Sequence, residues 1–195
     1  MAELTPMMRQ YLEIKERHPD CILFFRLGDF YEMFADDAKL ASHELDLTLT
    51  TRDRGKEKSE QVPMCGVPYH SAEGYIARLI AKGYKVSICE QMEDPALAKG
   101  LVKREVVRVL TPGTVIENSM LNEGRNNFLA SVYFAGESAG VCFIDVSTGS
   151  VNLTELAAPA LPDKIINEIG RFMPSEIVFN SASSSLTKVF SFISN

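Results

Sequence analysis

The chain has 195 residues, enough for one or two domains, and its 46% of hydrophobic and 24% of charged residues are ordinary for a globular protein. No apolar run approaches the roughly 18 residues that cross a membrane, and residues 1–6 do not resemble a signal peptide, so we expect a cytoplasmic protein. The net charge of −6 disfavours a stand-alone nonspecific nucleic-acid binder, because such proteins are normally basic.

Predicted helices and strands alternate over residues 1–113, which favours one mixed α/β domain. The first helix begins at Pro6, because Thr5 is a good N-cap residue and proline is tolerated at the first helical position. An apolar run at 22–27 predicts a strand buried on both faces. The further predicted elements are a helix over 36–44, an alternating strand at 45–50, a charged surface loop at 51–62, a rigid segment with two prolines at 63–70, a helix over 72–81 capped by Ser71, and strands at 85–91 and 102–110.

After residue 113 the sequence predicts a linker and then a second domain. Residues 114–126 combine Glu, Asn, Ser and Gly with few apolar residues, as domain linkers do. From 127 onward, a hairpin, a third strand, a helix and a fourth strand are predicted, which is the order of the front half of a ribonuclease-H-like fold. About seventy residues are few for this layout, so we expect the chain to stop inside its second domain. These elements fall at 128–134, 141–146, 151–156, 161–172 and 177–179.

The sequence lacks the motifs of several common chemistries. It contains no P-loop, no Gly-rich dinucleotide fingerprint after a strand and no nucleophile elbow. Its four cysteines are widely spaced among apolar neighbours, so we expect buried free thiols. The histidines have no metal-ligand spacing with them, and we assign no metal.

One catalytic alternative rests on Asp145, at the end of a predicted strand. In a ribonuclease-H-like fold, a strand aspartate can hold a metal ion for two-metal phosphodiester cleavage. That chemistry needs further carboxylates, and the nearby candidates are Glu155, Asp163 and Glu168. The other interpretation is that Asp145 stabilises the turn before Gly149.

Residues 26–34 read RLGDFYEMF and place an aromatic pair and a carboxylate after a Gly-Asp turn. If the backbone is extended there, Phe30 and Glu32 lie on the same face. One interpretation is that these aromatics are core residues. The other is a minor-groove wedge, in which Phe30 inserts between base steps at a cost on the order of a few kcal/mol, lower where pairing is already weak. Glu32 would then accept from a ring N–H or, when protonated, donate to a purine N7.

Residues 26–34 resemble the mismatch-recognition motif of the bacterial MutS family, the sensors of DNA mismatch repair. Segments at 5–12, 63–70, 88–91 and 106–114 also resemble that family in order and spacing. The resemblance implies that Phe30 stacks on the mispaired base, that Glu32 bonds to it, and that Arg52 and Arg104 contact the DNA backbone. It also implies a mismatch-recognition domain at 1–113, a linker at 114–126 and a truncated connector domain at 127–195.

The resemblance has further implications for activity and partners. Family members are homodimers with an ATPase domain and a clamp, so ATP and Mg are implied for the full-length protein only, and this part is not expected to be an enzyme. The implied partners are duplex DNA with mismatches or small unpaired loops, downstream repair proteins and, through residues 10–12, a sliding clamp. A connector domain that serves as an interaction module for repair partners is compatible with this function. The expected location is the bacterial cytoplasm, at the nucleoid.

Overall fold

The computed structural model describes residues 4–51, 61–98 and 100–194. The chain divides into two units, Met1–Thr111 and Pro112–Asn195, each with its own sheet and its own hydrophobic core. Residues 114–126 fall in the second unit, where Val115 is buried. Their role as a linker between functional domains stays a prediction. None of the helices formed by the described residues combines the length and hydropathy that a membrane span requires.

The first unit is a mixed sheet with helices, as predicted. Its elements are α1 (Pro6–Arg17), β1 (Cys21–Leu27), β2 (Phe30–Phe34), α2 (Ala35–Leu45), β3 (Thr50–Thr51), β4 (Pro63–Pro68), a 3-10 turn (Tyr69–Ser71), α3 (Ala72–Ala81), β5 (Lys85–Gln91) and β6 (Arg104–Leu110). The strands follow the order β3-β4-β2-β1-β5-β6, with β1 parallel to β5 and antiparallel to β2.

Local sequence explains how the central strand is covered. The Thr5 hydroxyl accepts a hydrogen bond from the amide of Met8 at 3.3 Å and caps α1. The buried face of α1 presents Tyr11 and Ile14 to a core that includes side chains of β1. All residues from Cys21 to Phe25 are buried, so the prediction of a strand covered on both faces is confirmed.

One prediction for the middle of this unit is wrong, and a second segment has a structure that was not predicted. The strand expected at 45–50 does not form, because α2 carries Leu45 into the core and ends at Asp46, whose φ of 57° and N–H bond to Ser42 cap the helix. The two-proline segment is instead a strand, β4, with its prolines at the first and last positions. Proline is tolerated at such positions because no interior ladder donor is lost. Most of the predicted charged loop, 52–60, lies outside the described residues.

The predicted cap of α3 also differs. Its bounds agree with the prediction, but the Ser71 side chain makes no cap bond. The Ser71 hydroxyl donates instead to the carbonyl oxygen of Pro68 at 3.2 Å, which stabilises the 3-10 turn before the helix.

The second unit has the predicted ribonuclease-H-like order. Its elements are a 3-10 turn (Asn118–Met120), β7 (Phe128–Ala135), β8 (Ser138–Asp145), β9 (Ser150–Ala157), α4 (Leu161–Phe172), β10 (Glu176–Phe179), a second 3-10 turn (Ser181–Ser185) and α5 (Thr187–Ile193). Strands β7, β8 and β9 form an antiparallel meander, and β10 pairs parallel with β7. The helix α4 buries Leu161, Ile165 and Ile169, a spacing of one helical face, against the sheet.

The cysteines are free thiols, and three of them are buried as predicted. Burial is the main cause that raises the pKa of Cys21 and Cys65 to about 11 and that of Cys89 to about 12. These thiols therefore stay protonated at neutral pH and act as small apolar groups. Cys142, on β8, is only half-buried.

Candidate nucleic-acid interface

A two-residue turn joins β1 to β2 and leads into Phe30. The two strands pair antiparallel with Leu27 opposite Phe30, so Gly28 and Asp29 form the whole connection. Gly28 has a φ of 58°, in the left-handed region. Two-residue hairpin turns of the primed types need a positive φ at their first central position, which favours glycine there. The predicted turn is confirmed, and Phe30 is the first residue of β2.

Side chains alternate along β2 between core and surface. Tyr31 and Met33 are buried, whereas Phe30 is 46% exposed and Glu32 is half-buried. Because successive strand side chains point to opposite faces, Phe30 and Glu32 share one face, as predicted. The interpretation that the aromatics of this stretch are core residues holds for Tyr31 and Phe34 but is wrong for Phe30.

Glu32 lies opposite a glycine of the neighbouring strand. Its register partner on β4 is Gly66. A Cβ atom at Gly66 would lie 3.1 Å from the carbonyl oxygen of Tyr31 and 3.4 Å from Cγ of Glu32. Since the first distance is shorter than ordinary van der Waals contact, a side chain at this position would crowd β2 beside the carboxylate. Glycine here keeps space for the Glu32 side chain.

A cluster of polar and aromatic side chains borders the turn. The guanidinium carbon of Arg26 lies 3.7 Å from the centre of the Tyr69 ring, and Nη1 of Arg26 lies 3.5 Å from Oε2 of Glu90. The Tyr31 hydroxyl donates a hydrogen bond to Oε1 of Glu90. Burial, followed by the bond and charge of Glu90, raises the pKa of Tyr31 to about 12, so the hydroxyl remains a donor at neutral pH. Sequence reasoning missed this cluster, because only the pairing of β1 with β2 and β5, and of β2 with β4, brings its members together.

The two arginines expected at the DNA backbone have different positions. Arg104 is 6% exposed, and its guanidinium donates to the carbonyl oxygen of Arg26 at 2.7 Å and to Oε1 of Gln10 at 3.0 Å. It also lies over the Phe25 ring, 5.0 Å from its centre. These contacts give Arg104 a role in stabilising the first unit, and its contact with DNA stays a prediction. Arg52 lies outside the described residues.

The segment 10–12, considered for a sliding-clamp contact, presents little of itself to solvent. Tyr11 is 1% exposed, and its hydroxyl donates to Oδ2 of Asp37 at 3.1 Å. The side-chain amide of Gln10 lies between Val102 and Arg104. Of the three side chains, Leu12 is the exposed apolar one. The clamp contact stays a prediction.

Asp145 is engaged in the turn that follows β8. Its Oδ1 accepts hydrogen bonds from the Ser147 amide at 2.9 Å, the Ser147 hydroxyl at 2.6 Å and the Thr148 amide at 3.3 Å. Its Oδ2 accepts from the amide of Asn127 at 3.1 Å. The backbone carbonyl of Asp145 accepts from Gly149, which has a φ of 74°. The carboxylate therefore holds the turn together.

The other carboxylates considered for a metal site make contacts elsewhere. Asp163 forms an ion pair with Lys188, and Glu168 lies 3.6 Å from Arg171. Across 4–51, 61–98 and 100–194, no group of three or more His, Cys, Asp or Glu side chains is placed to hold a metal ion. Within those ranges, the converging carboxylates that two-metal cleavage requires are not assembled around Asp145.

Asp145 should make the second unit sensitive to acid. Burial acts to raise the pKa of this carboxyl, but the hydrogen bonds from Ser147, Asn127 and Thr148 outweigh it and hold the pKa below its ordinary range. A depressed pKa contributes stability above the unfolded value of about 4, and that contribution is lost as the pH falls through the folded pKa.

We expect Asp145→Asn to lower the free energy of unfolding at pH 7 by about 1–3 kcal/mol, because an amide cannot accept at both ends. The loss should shrink toward pH 3, because the stability that a lowered pKa contributes fades as the pH falls below the unfolded value of about 4. Urea denaturation at the two pH values measures the effect, and hydrogen exchange in β7 and β8 assigns it to this unit. Asp163→Asn, at an exposed position, is the control. Equal stabilities of wild type and Asp145→Asn at pH 7 would contradict the turn role.

Comparisons with known proteins place the chain in a family. A family model described as MutS domain I matches residues 5–119, and one described as MutS domain II matches residues 127–194. The DNA mismatch repair protein MutS of Acetivibrio thermocellus is 59% identical over 180 residues, which are 92% of this chain and 20% of that protein.

Other relatives give the same result. The protein of the same name from Ruminiclostridium cellulolyticum is 58% identical over 181 residues, 93% of this chain and 20% of that protein. That from Syntrophomonas wolfei is 54% identical over 187 residues, 96% of this chain and 21% of that protein. The chain thus spans about a fifth of the length of the curated relatives it matches. The chain belongs to the MutS family and corresponds to its domains I and II.

Proposed function

We propose that this chain is the mismatch-sensing part of a DNA mismatch repair protein, with Phe30 as an aromatic wedge at the mispair and Glu32 as the contact to the mispaired base. The observation that carries the proposal is the 46% exposure of Phe30 at the start of β2, where Tyr31, Met33 and Phe34 are all buried. A large apolar side chain that is exposed at the exit of the turn gains little from the core and is free to contact a ligand.

The physical basis of discrimination is the deformability of the duplex. A wedge that enters the minor groove must unstack a base step, and this costs less where pairing is already disrupted. The same side chain therefore binds a mispair more favourably than a matched step without reading sequence. Glu32 shares the face of Phe30, so it can reach the edge of the base on which the ring stacks.

The net charge of the chain suits recognition of a mispair better than tight binding of the DNA backbone. At a net charge of −6, it repels the phosphate backbone, and most of the electrostatic affinity must come from other parts of a longer protein. In this proposal 1–113 senses the mispair, 114–126 links and 127–195 begins a connector that meets repair partners. The longer protein is a homodimer that uses ATP and Mg elsewhere in its chain, contacts downstream repair proteins and acts in the cytoplasm.

The proposal is tested by the ratio of mismatch to matched affinity. Fluorescence-anisotropy titrations of the longer protein with G·T and matched duplexes, at two salt concentrations, should give a clear preference for G·T at both. The isolated 195-residue chain should bind DNA only weakly, with a steep loss of affinity as salt rises. An affinity ratio of one in the longer protein would refute the sensing role. Submicromolar binding by the isolated chain at physiological salt would refute the claim that most of the affinity for DNA comes from other parts of the longer protein.

Glu32→Gln separates the charge of this side chain from its shape. If Glu32 acts as a charged acceptor, the mismatch preference should fall while affinity for matched DNA rises, because repulsion from the phosphates is relieved. The same anisotropy titrations measure both quantities. The control is Glu155→Gln, at an exposed position of β9 in the second unit. A drop in matched-duplex affinity for Glu32→Gln would instead assign Glu32 a structural role.

A further inference from the structure

The turn that leads into Phe30 is held from two sides. On one side, Nε of Arg26 donates a hydrogen bond to the carbonyl oxygen of Gly28. On the other, the backbone amide of Tyr69 donates to the carbonyl oxygen of Asp29 at 2.9 Å. Both carbonyl groups of the connection are therefore bonded, one from β1 and one from the segment after β4.

The two holding residues are themselves joined by a stack. The guanidinium carbon of Arg26 lies 3.7 Å from the centre of the Tyr69 ring, within the range of a strong cation–π contact. Glu90 fixes the cation from β5, since its Oε2 lies 3.5 Å from Nη1 of Arg26. The Arg26 side chain is 17% exposed. A planar cation held by a ring, a carbonyl and a carboxylate has little freedom to rotate.

We propose that Arg26 and Tyr69 are positioning residues of the mismatch site, whose stack fixes the turn at Gly28 and Asp29 and thereby the direction of the Phe30 ring. The inference rests on the proposed function of Phe30. A wedge on a mobile turn would lose conformational entropy each time it entered the duplex, whereas a wedge on a fixed turn has lost it on folding. The stack therefore raises affinity for the step that accepts the ring.

The contacts of Arg26 distinguish positioning from a direct phosphate contact. Its Nε and Nη1 already face Gly28 and Glu90, and a phosphate at the same place would meet the Glu90 carboxylate. A phosphate contact would depend on the charge alone and would survive in Arg26→Lys. The stack depends on the flat guanidinium, which an ammonium does not reproduce.

The test compares Tyr69→Leu, which removes the flat ring, with Tyr69→Phe, which keeps it, in the longer protein. Tyr69→Leu should lower the ratio of G·T to matched-duplex affinity by about threefold to tenfold and leave matched-duplex affinity unchanged. Tyr69→Phe should keep the wild-type ratio. Arg26→Lys should resemble Tyr69→Leu. Tyr133→Leu, at an exposed tyrosine of β7, controls for loss of a surface ring.

Hydrogen exchange of the peptide spanning 26–34 gives a readout that does not depend on DNA. Exchange should be faster in Tyr69→Leu and Arg26→Lys and unchanged in Tyr69→Phe. The inference is overturned if Tyr69→Leu keeps the wild-type ratio while Phe30→Ala loses it, an outcome that leaves the proposed function standing. It is also overturned if Tyr69→Leu lowers matched-duplex affinity by as large a factor as it lowers the affinity ratio. A clear fall in the melting temperature of Tyr69→Leu would overturn it as well. If Phe30→Ala keeps the wild-type affinity ratio, the proposed function fails. Hydrogen exchange then tests the stack alone, and an unchanged exchange rate in Tyr69→Leu would show that the stack does not stabilise the turn.

Discussion

Phe30→Ala, made in the longer protein that contains this chain, is expected to remove most of the preference for a G·T or unpaired-T duplex. The loss should be on the order of 2–3 kcal/mol, or roughly thirtyfold or more in the affinity ratio, because alanine cannot replace the stacking of the inserted ring. Affinity for matched DNA should change much less, since a matched step resists the wedge and gains little from it.

The fold should tolerate this substitution. Phe30 is 46% exposed, so its truncation removes little buried surface and should change the free energy of unfolding by less than about 1 kcal/mol. Phe192, on α5 of the second unit, is 45% exposed and provides a matched control. Phe192→Ala removes the same atoms at the same exposure and should keep the wild-type ratio.

Anisotropy titrations with G·T, unpaired-T and matched duplexes, at two salt concentrations, measure the three affinities for each variant. An unchanged affinity ratio in Phe30→Ala would exclude the wedge role. A parallel loss of affinity for all three duplexes would assign Phe30 to general DNA contact instead.

Periodicity predicted most elements but not which face of β2 is buried. An alternating stretch has two faces, and the aromatic side chains at 30 and 31 are on opposite ones. The pattern alone therefore could not decide whether Phe30 is a buried core residue or an exposed wedge. Only the sheet order, which places β2 between β1 and β4 with Tyr31 inward, decides it. The family resemblance singled out Phe30 because it compares whole motifs rather than faces, and the stacking of Phe30 on a mispaired base stays a prediction.

Long-range pairing explains what the sequence could not reveal. The segment 63–70 was predicted only to be rigid, and its formation of β4, with prolines at the first and last positions, depends on the pairing with β2 and β3. The family resemblance implied a DNA-backbone contact for Arg104, whereas the structure shows its guanidinium bonded to Gln10 and Arg26, which are far away in the chain. A single sequence contains no local signal for such contacts.

A buried carboxylate illustrates the same limit and leads to the largest expected effect on stability. The pair Asp36 and Asp37 reads in sequence as acid in the first turn of a helix, favourable for the helix dipole. In the structure the two differ completely, since the Asp36 side chain is exposed and Asp37 is 7% exposed. Asp37 accepts from the amide of Leu23 at 3.0 Å and the hydroxyl of Tyr11 at 3.1 Å, and pairs with Lys15 at 2.8 Å.

Asp37→Ala is expected to lower the free energy of unfolding of the first unit by about 3–5 kcal/mol. The change removes the carboxylate that accepts from Leu23, Tyr11 and Lys15, although Tyr11 and Lys15 keep their bonds to the carbonyl oxygens of Phe34 and Cys21. Breaking one side of a buried ion pair is costly. Burial, followed by the charge of Asp37, raises the pKa of Tyr11, so the hydroxyl stays protonated at neutral pH and remains a hydrogen-bond donor.

Urea denaturation measures this loss. Hydrogen exchange in β1 assigns it to the first unit, because the Leu23 amide that donates a hydrogen bond to Asp37 lies in this central strand. Asp36→Ala is the matched control and should behave as wild type, since it removes an exposed carboxylate from the preceding position. A loss below about 1 kcal/mol in Asp37→Ala would mean that other acceptors replace the carboxylate. A loss of the expected size would make Asp37 the residue that joins α1, α2 and β1 in the first unit.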